Sequence, residues 1–93
     1  MAKHTSMTIG AAWTLLTDSD TTNITFLNQG PGGLMIAVTV GATPPTDFDT
    51  ALTYRAREGE RNVALADLAP GISGTRVYAY SEGEHSRVYV SHA

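Results

Sequence analysis

Residues 76–91 carry the pattern that most restricts the fold of this chain. Apolar residues alternate there with polar and aromatic ones, and side chains alternate between two faces along a β-strand. The apolar members are Val77, Ala79, Val88 and Val90. The spacing predicts a β-hairpin in which Tyr78 lies opposite Tyr89 and Tyr80 lies opposite Arg87. We expect the apolar face of this hairpin to close a hydrophobic core.

The other face of the predicted hairpin is aromatic and cationic. Its members are Arg76, Tyr78, Tyr80, Arg87 and Tyr89. Tyr and Arg are enriched where protein interfaces concentrate their binding energy. This face is therefore predicted either to bind a partner or to pack beneath a second sheet with its hydroxyls at the margin. Because an unpaired buried charge costs several kcal/mol, the arginines disfavour complete burial.

The size of the chain limits its stability. Its 93 residues suffice for one domain, and a domain of this size buries only about 60–65% of the surface that its unfolded form exposes. Small domains compensate with disulfides, metals or oligomerisation. The sequence has no cysteine, which excludes disulfides and thiolate metal sites. We therefore expect oligomerisation or docking onto a larger assembly.

Charge and hydropathy exclude several function classes. The formal charge is −3 with a single lysine, whereas a nucleic-acid binder needs a dense basic stripe. No run approaches the eighteen or more apolar residues of a membrane span. The first residues lack the apolar stretch of a secretory signal, so we expect a soluble protein made and used without an export step.

Short apolar runs separated by Gly, Pro and Asp turn signals predict an all-β fold, either a small antiparallel β-sandwich or a jelly-roll-like barrel. Residues 1–10 are polar and without period, which predicts a flexible N-terminal arm before a single β domain over 11–93. Strands are predicted at 12–17, 23–28, 34–40 and 51–57, strand or short helix at 62–68, turns at 29–33, and one helical turn at 46–49.

The same alternation, extended to the other predicted strands, identifies a set of core residues. The predicted core consists of Trp13, Ile24, Phe26, Ile36, Val38, Val77, Val88 and Val90. Trp13 and Leu15 share one face of their strand, and the single tryptophan is the expected anchor of the core.

No catalytic or cofactor site is predicted. Ser91 and His92 lie at the end of the chain without an assignable carboxylate partner, and a nucleophile and its base must be held within hydrogen-bonding reach. We therefore expect a protein that is not an enzyme and that has no cofactor or metal. One alternative stays open. The carboxylates of Glu58, Glu60, Glu82 and Glu84 could form an oxygen-ligand site if two Glu-Gly-Glu tips meet, although charged tips also keep sheet edges soluble.

Several segments in order resemble the small virion proteins of tailed bacteriophages. They are Trp13–Asp18, Asn23–Phe26, Val40–Asp47, Asn62–Gly71, Arg76–Ser81 and Val88–Ala93. The resemblance spans residues 12–93 and implies a capsid decoration (cement) protein that binds the outer capsid lattice and stabilises the phage head. A tail or fibre component is a second possibility within the same class. From the residues alone, a carbohydrate-recognition module that stacks tyrosines on sugar rings is a further alternative.

The resemblance also implies partners and a location. The expected partners are the major capsid protein and other copies of this chain, in a homotrimer, on the outer surface of the phage head after synthesis in the host cytoplasm. Lys3 and His4 of the predicted arm would then contact the lattice together with the tyrosine and arginine face. Many linked weak contacts raise apparent affinity by orders of magnitude.

Overall fold

The computed structural model describes residues 3–17, 20–41, 43–46, 51–69 and 74–92. The elements are β1 Lys3–Ile9, β2 Thr14–Leu15, β3 Asn23–Thr39, β4 Leu52–Tyr54, β5 Gly59–Ala64, α1 Leu65–Leu68 and β6 Arg76–His92. The strands form one antiparallel sheet, which confirms the predicted all-β class. Within the described ranges, no helix has the length and apolar character needed to cross a bilayer.

Two long strands form the centre of the sheet. β3 and β6 have 17 residues each and pair antiparallel from Ile24 opposite His92 to Thr39 opposite Arg76. A straight strand of that length would span about 56 Å, whereas the longest dimension of the protein is 30 Å. Both strands therefore bend near their midpoints, and the sheet curls around its own inner face.

The bend divides the curled sheet into two layers. In the β1/β5 layer, β1 and β5 flank the second half of β6 and the first half of β3. In the β2/β4 layer, β2 and β4 flank the first half of β6 and the second half of β3. The two layers share a single hydrophobic core on the inner face.

Alternate residues of the long strands fill this core. All the predicted core residues except Trp13 are buried, namely Ile24, Phe26, Ile36, Val38, Val77, Val88 and Val90. The core also contains Leu34, which lies on the same alternating face of β3 as Ile36 and Val38, and Ile9, Leu16, Leu65 and Leu68, which the alternation does not identify. The period of two therefore identifies the inner face of β3 and β6 correctly and misses the contributions of the shorter elements.

A buried polar cluster lies at the bend. Asn28 is fully buried; its Nδ2 donates to Gly32 O (2.9 Å) and Tyr54 O (3.2 Å), and its Oδ1 accepts from Gly30 N (3.0 Å) and from Ser86 Oγ. The register of β3 against β6 shifts between Asn28 and Gly30 and again between Pro31 and Gly33, within this cluster. Bulges of this kind bend a strand, and hydrogen bonding satisfies the polar groups that the bend buries.

The bend replaces two predicted turns. The glycine-rich segment 29–33, predicted as a turn between strands, lies inside β3, and residues 82–85, predicted as a hairpin tip, lie inside β6. The prediction of a C-terminal hairpin is therefore wrong. The alternation defined the two faces of this segment but carried no information about its partner, and both halves of β6 pair with β3 instead of with each other.

Residues 3–9 differ from the predicted arm. They form β1, an edge strand paired with the second half of β6, and Ile9 is completely buried in the core. Only Met7 and Ile9 are apolar on this strand, so the alternation is too short to stand out from a polar segment. For Lys3 and His4 the structure describes strand positions, opposite His92 and Ser91, and not side chains.

The remaining predictions concern short elements. The strand predicted at 51–57 is limited to β4, and the ambiguous segment 62–68 contains both the end of β5 and α1. The helical turn predicted at 46–49 lies, beyond Thr46, outside the described residues.

Candidate binding surface

The outward face of β6 is divided between the two layers. Arg76, Tyr78 and Tyr80 lie on the outer side of the β2/β4 layer, and Arg87 and Tyr89 lie on the outer side of the β1/β5 layer. The predicted cross-strand pairs are accordingly wrong. Tyr78 lies opposite Ala37 and Leu15, whereas Tyr89 lies opposite Leu27 and Ser6.

Other residues of the chain cover much of the outer side of the β2/β4 layer. Tyr78 is buried, with 4% of its surface exposed. The ring of Trp13 lies against that of Tyr80, with centroids 5.4 Å apart. Arg76 Nε donates to Asp20 Oδ1 at 2.9 Å. This outer face is therefore largely occupied by contacts within the chain.

The position of Trp13 corrects the predicted core. Thr14 lies opposite Ala79 and Leu15 lies opposite Tyr78. Trp13 and Leu15 therefore share a face, as predicted, but it is the outer, tyrosine-bearing one. Leu16, one residue further, is completely buried. A shift of one residue exchanges the two faces of a strand. Because this segment has apolar residues at both odd and even positions, its sequence does not show which set faces the core.

The second half of β6 presents an open surface, which we call the Tyr89 face. It consists of Thr25, Leu27, Arg57, Arg61, Arg87 and Tyr89. All of these except Arg87 line a shallow cavity of about 300 Å³. Leu27 has 38% of its surface exposed at the cavity floor, and Tyr89 is half-buried beside it. The surface thus combines an apolar floor with three guanidinium groups and the carboxylate of Glu60, which also lines the cavity.

Gly59 allows β5 to approach the main chain of β3 closely beside the cavity. It lies opposite Leu27 across the β3–β5 pairing. A Cβ at this position would be 2.0 Å from the carbonyl oxygen of Phe26, so only glycine permits the two strands to approach this closely. Gly59 therefore determines how closely β5 borders the cavity.

A tight turn positions Arg57 at the rim. Its φ of 72° lies in the left-handed region. Arg57 N donates to Asn28 O, and Asn28 N donates to Glu58 O at 2.8 Å. These hydrogen bonds attach the turn to β3 at the buried polar cluster. They thereby fix the position from which the side chain of Arg57 extends.

The nearby carboxylates are engaged within the fold. Glu58 Oε1 accepts from Arg55 N at 2.7 Å, and Glu60 Oε2 accepts from the hydroxyl of Tyr54 at 3.1 Å. Burial, together with the hydrogen bond to Glu60 and the charges of Glu60 and Glu58, raises the pKa of Tyr54 to about 12.

Among the described residues, the ion pair with a distance below 4 Å is formed by Arg76 and Asp20, which lie on the other layer. The arginines of the Tyr89 face thus project into solvent in a chain of net charge −3.

A second depression adjoins the Tyr89 face and shares Thr25 with it. It has a volume of about 440 Å³ and is lined by Thr22, Asn23, Ile24, Thr25, Asn62, Ser91 and His92. Asn62 has a positive φ of 48°, and its N–H donates to Thr25 Oγ1 at 2.8 Å. The lining is rich in hydroxyl and amide groups, and the described part of the chain contains no cluster of three His, Cys, Asp or Glu that could hold a metal ion.

No family model, curated protein or solved structure matches this chain. The chemistry of the Tyr89 face therefore carries the functional interpretation. The sequence pattern identifies Arg87 and Tyr89 as interface candidates but not Leu27, Arg57 or Arg61. The last two flank a Glu-Gly-Glu segment, and only the pairing of β5 with β3 brings them beside Tyr89.

Proposed function

We propose that this protein is a capsid decoration protein of a tailed bacteriophage, which binds the outer capsid lattice through its Tyr89 face and stabilises the head. The observation that supports the proposal best is the concentration of Arg57, Arg61, Arg87 and Tyr89 on one open sheet face of an acidic chain. The resemblance of residues 12–93 to small phage virion proteins supports the choice of a capsid as the partner.

The charge of the face specifies the chemistry of the partner surface. Guanidinium groups form bidentate hydrogen bonds with carboxylates and keep their charge at every physiological pH. Neighbouring Glu58 and Glu60 are already engaged by Arg55 N and Tyr54. The proposed partner surface therefore carries Asp or Glu side chains that meet Arg61 and Arg87.

The apolar floor supplies the anchor of the interface. Leu27 and Tyr89 lie opposite each other on adjacent strands, and both retain exposed surface. Binding energy concentrates where such side chains are buried at the centre of an interface and surrounded by charged groups. Each contact of a domain of this size is small, and repetition over a lattice multiplies its effect.

Co-sedimentation with capsid shells that lack the protein tests the proposal. We expect the wild-type chain to sediment with the shells and binding to weaken as salt rises, because the contact is electrostatic. The double variant Arg61→Ala/Arg87→Ala should bind at least about tenfold more weakly. Arg76→Ala is the matched control, since Arg76 is paired with Asp20 on the other layer.

Two outcomes would contradict the proposal. One is a wild-type chain that stays in the supernatant at low salt. The other is an Arg76→Ala variant that loses as much affinity as the double variant, since that result would remove the Tyr89 face from the contact.

The cavity beside Tyr89 supports a second candidate function. An aromatic ring next to hydroxyl and guanidinium groups can stack on a sugar ring, and a volume of about 300 Å³ is at the lower end of small-molecule sites. Retention of the chain on bacterial cell-wall polysaccharide, with loss on Tyr89→Ala and no binding to shells, would favour carbohydrate recognition over capsid decoration.

A further inference from the structure

The edge strand β1 has one side that is paired with β6 and one side that is not. Its seven residues pair with β6 in an unbroken register from Lys3 opposite His92 to Ile9 opposite Ser86. Within the described residues, no strand pairs with β1 on its other side. Thr5, Ser6 and Thr8 are exposed.

The hydrogen bonds of β3 show which groups of β1 point outward. The main-chain N–H and C=O of Asn28 bond to the turn at 57–58, on the side of β3 that faces away from β6. The main-chain groups of the preceding residue, Leu27, therefore point the other way, toward Tyr89 on β6. Since main-chain groups alternate in direction along a strand, those of Val88 and Val90 are directed at β1.

The same alternation continues into β1. Met7 and Thr5, the residues opposite Val88 and Val90, bond to β6. The N–H and C=O groups of His4, Ser6 and Thr8 consequently point away from the sheet.

The other edges of the sheet are protected against strand addition. β2 and β4 contain only two and three residues. β5 has a shift of register against β3 between Ile24 and Phe26, and Asn62 on it has a positive φ. Short strands and bulges are the usual means by which proteins block their sheet edges. β1 has neither, and it carries a single charged residue, Lys3.

We propose that β1 pairs antiparallel with β1 of a second copy of this chain, around a two-fold axis at Ser6. In this register Ser6 lies opposite Ser6, and His4 lies opposite Thr8. Each of these residues has outward main-chain groups, so every pair exchanges two hydrogen bonds. The pairing joins the β1/β5 layers of two copies into one continuous sheet, with both Tyr89 faces on the same side.

The sequence of β1 selects antiparallel over parallel pairing. Antiparallel pairing places Lys3 opposite Ile9 of the second copy. Parallel pairing in register would place Lys3 opposite Lys3, and like charges directly opposite are destabilising. A closed two-fold contact also uses the same patch twice and leaves no free β1 edge. The inference rests on the sheet geometry and is independent of the lattice partner, and it differs from the trimer that the phage resemblance implies.

Proline substitutions at adjacent positions test the contact. Ser6→Pro removes an outward N–H and obstructs the edge, while the bonds from β1 to β6 remain. We expect the wild type to be a dimer by sedimentation equilibrium at ~1 mM protein and Ser6→Pro to associate at least about tenfold more weakly, with an unchanged circular dichroism spectrum. Met7→Pro is the control: it removes an N–H that bonds to β6 and should lower the melting temperature.

Two measurements decide the question even if Ser6→Pro fails to fold. In the wild type, the amide protons of Ser6 and Thr8 should become protected from hydrogen exchange as the protein concentration rises, whereas that of Met7 is protected throughout. Ser6→Cys should also form a disulfide-linked dimer on mild oxidation, because paired residues of this type have Cα atoms about 5.5 Å apart. Thr53→Cys on β4 should not, and the chain has no other cysteine.

A monomeric or trimeric wild type at ~1 mM would overturn the proposal. So would Ser6 and Thr8 amides that exchange equally fast at all concentrations, or a Thr53→Cys variant that crosslinks as readily as Ser6→Cys.

Discussion

The two halves of β6 have the same alternating sequence and opposite surroundings. Val77 and Ala79 in the first half, like Val88 and Val90 in the second, are completely buried in the shared core. On the outer side the halves differ. Tyr78 is 4% exposed and Tyr80 lies against Trp13, whereas Tyr89 borders an open cavity.

The difference arises from what pairs alongside each half. The segment that contains β2 runs beside the first half, with Leu16 N bonded to Val77 O, and brings Trp13 and Leu15 to the tyrosine side. The neighbours of the second half on that side are Ser6 and Thr8 of β1 and the exposed Leu27 of β3. A tyrosine on an alternating strand is therefore a core or a surface residue according to its neighbours in the sheet, and the strand itself does not decide this.

Replacing Tyr78 or Tyr89 should give the largest difference between an effect on stability and an effect on binding. Tyr78→Ala removes a buried ring and should lower the free energy of unfolding by about 3–5 kcal/mol. Tyr89→Ala removes a half-buried ring and should cost about 1 kcal/mol, while it weakens shell binding. Urea unfolding of both variants, followed by circular dichroism, measures the first quantity, and co-sedimentation measures the second.

Equal destabilisation by the two substitutions would show that Tyr89 belongs to the fold and would remove the contrast between the halves. Tyr89→Phe is a useful companion, since it keeps the ring and separates the contribution of the hydroxyl to binding from that of the apolar surface.

Gly59, where β5 approaches β3 beside the Tyr89 face, should be intolerant of a side chain. Gly59→Ala places a Cβ against the main chain of Phe26 and Leu27, so β5 has to move, and we expect a loss of about 2 kcal/mol in stability together with weaker shell binding. Gly33→Ala is the matched control on β3, where an added Cβ meets nothing within 4 Å. Thermal unfolding of both variants measures the difference. A Gly59→Ala variant as stable as Gly33→Ala would mean that the close approach of β5 to β3 is not required.

Much of the inner face could be predicted from the sequence, because a period of two is a local property. Ile24, Phe26, Val88 and Val90 followed from alternation alone. The bend could not be predicted in this way. Asn28 and Ser86 are 58 residues apart, and their hydrogen bond depends on the pairing of β3 with β6, which is not a local property of either segment.

The candidate surface was predictable only in part, for a related reason. Tyr89 and Arg87 are evident from the strand pattern, but Arg57 and Arg61 reach the same surface through the pairing of a distant edge strand. The glycine-containing segments suggested turns because Gly and Pro are common there, whereas the curled sheet places residues 29–33 and 82–85 within continuous strands. Local composition cannot distinguish a turn from a bend in a long strand.

The smallest expected effect concerns Tyr54, which joins the core to the rim of the Tyr89 face. Its ring packs edge-on against Phe26, with centroids 4.9 Å apart, and its hydroxyl donates to Glu60. Because burial and the neighbouring carboxylates raise its pKa from 10.0 to about 12, the folded protein retains this proton at a pH where the unfolded chain has lost it. This contribution to stability is complete below pH 10 and is lost as the pH rises toward 12.

Thermal unfolding of the wild type and of Tyr54→Phe between about pH 8 and pH 11 measures this effect. The wild type should lose more stability with rising pH than Tyr54→Phe, whose residue 54 has no proton to release. Glu60→Gln should fall between them, since it removes a carboxylate charge and keeps a hydrogen-bond acceptor. Parallel curves for the wild type and Tyr54→Phe would show that Glu60 is not held by Tyr54. The carboxylate would then be free to neutralise Arg57 or Arg61, and the positive charge that distinguishes the second half of β6 from the first would be reduced.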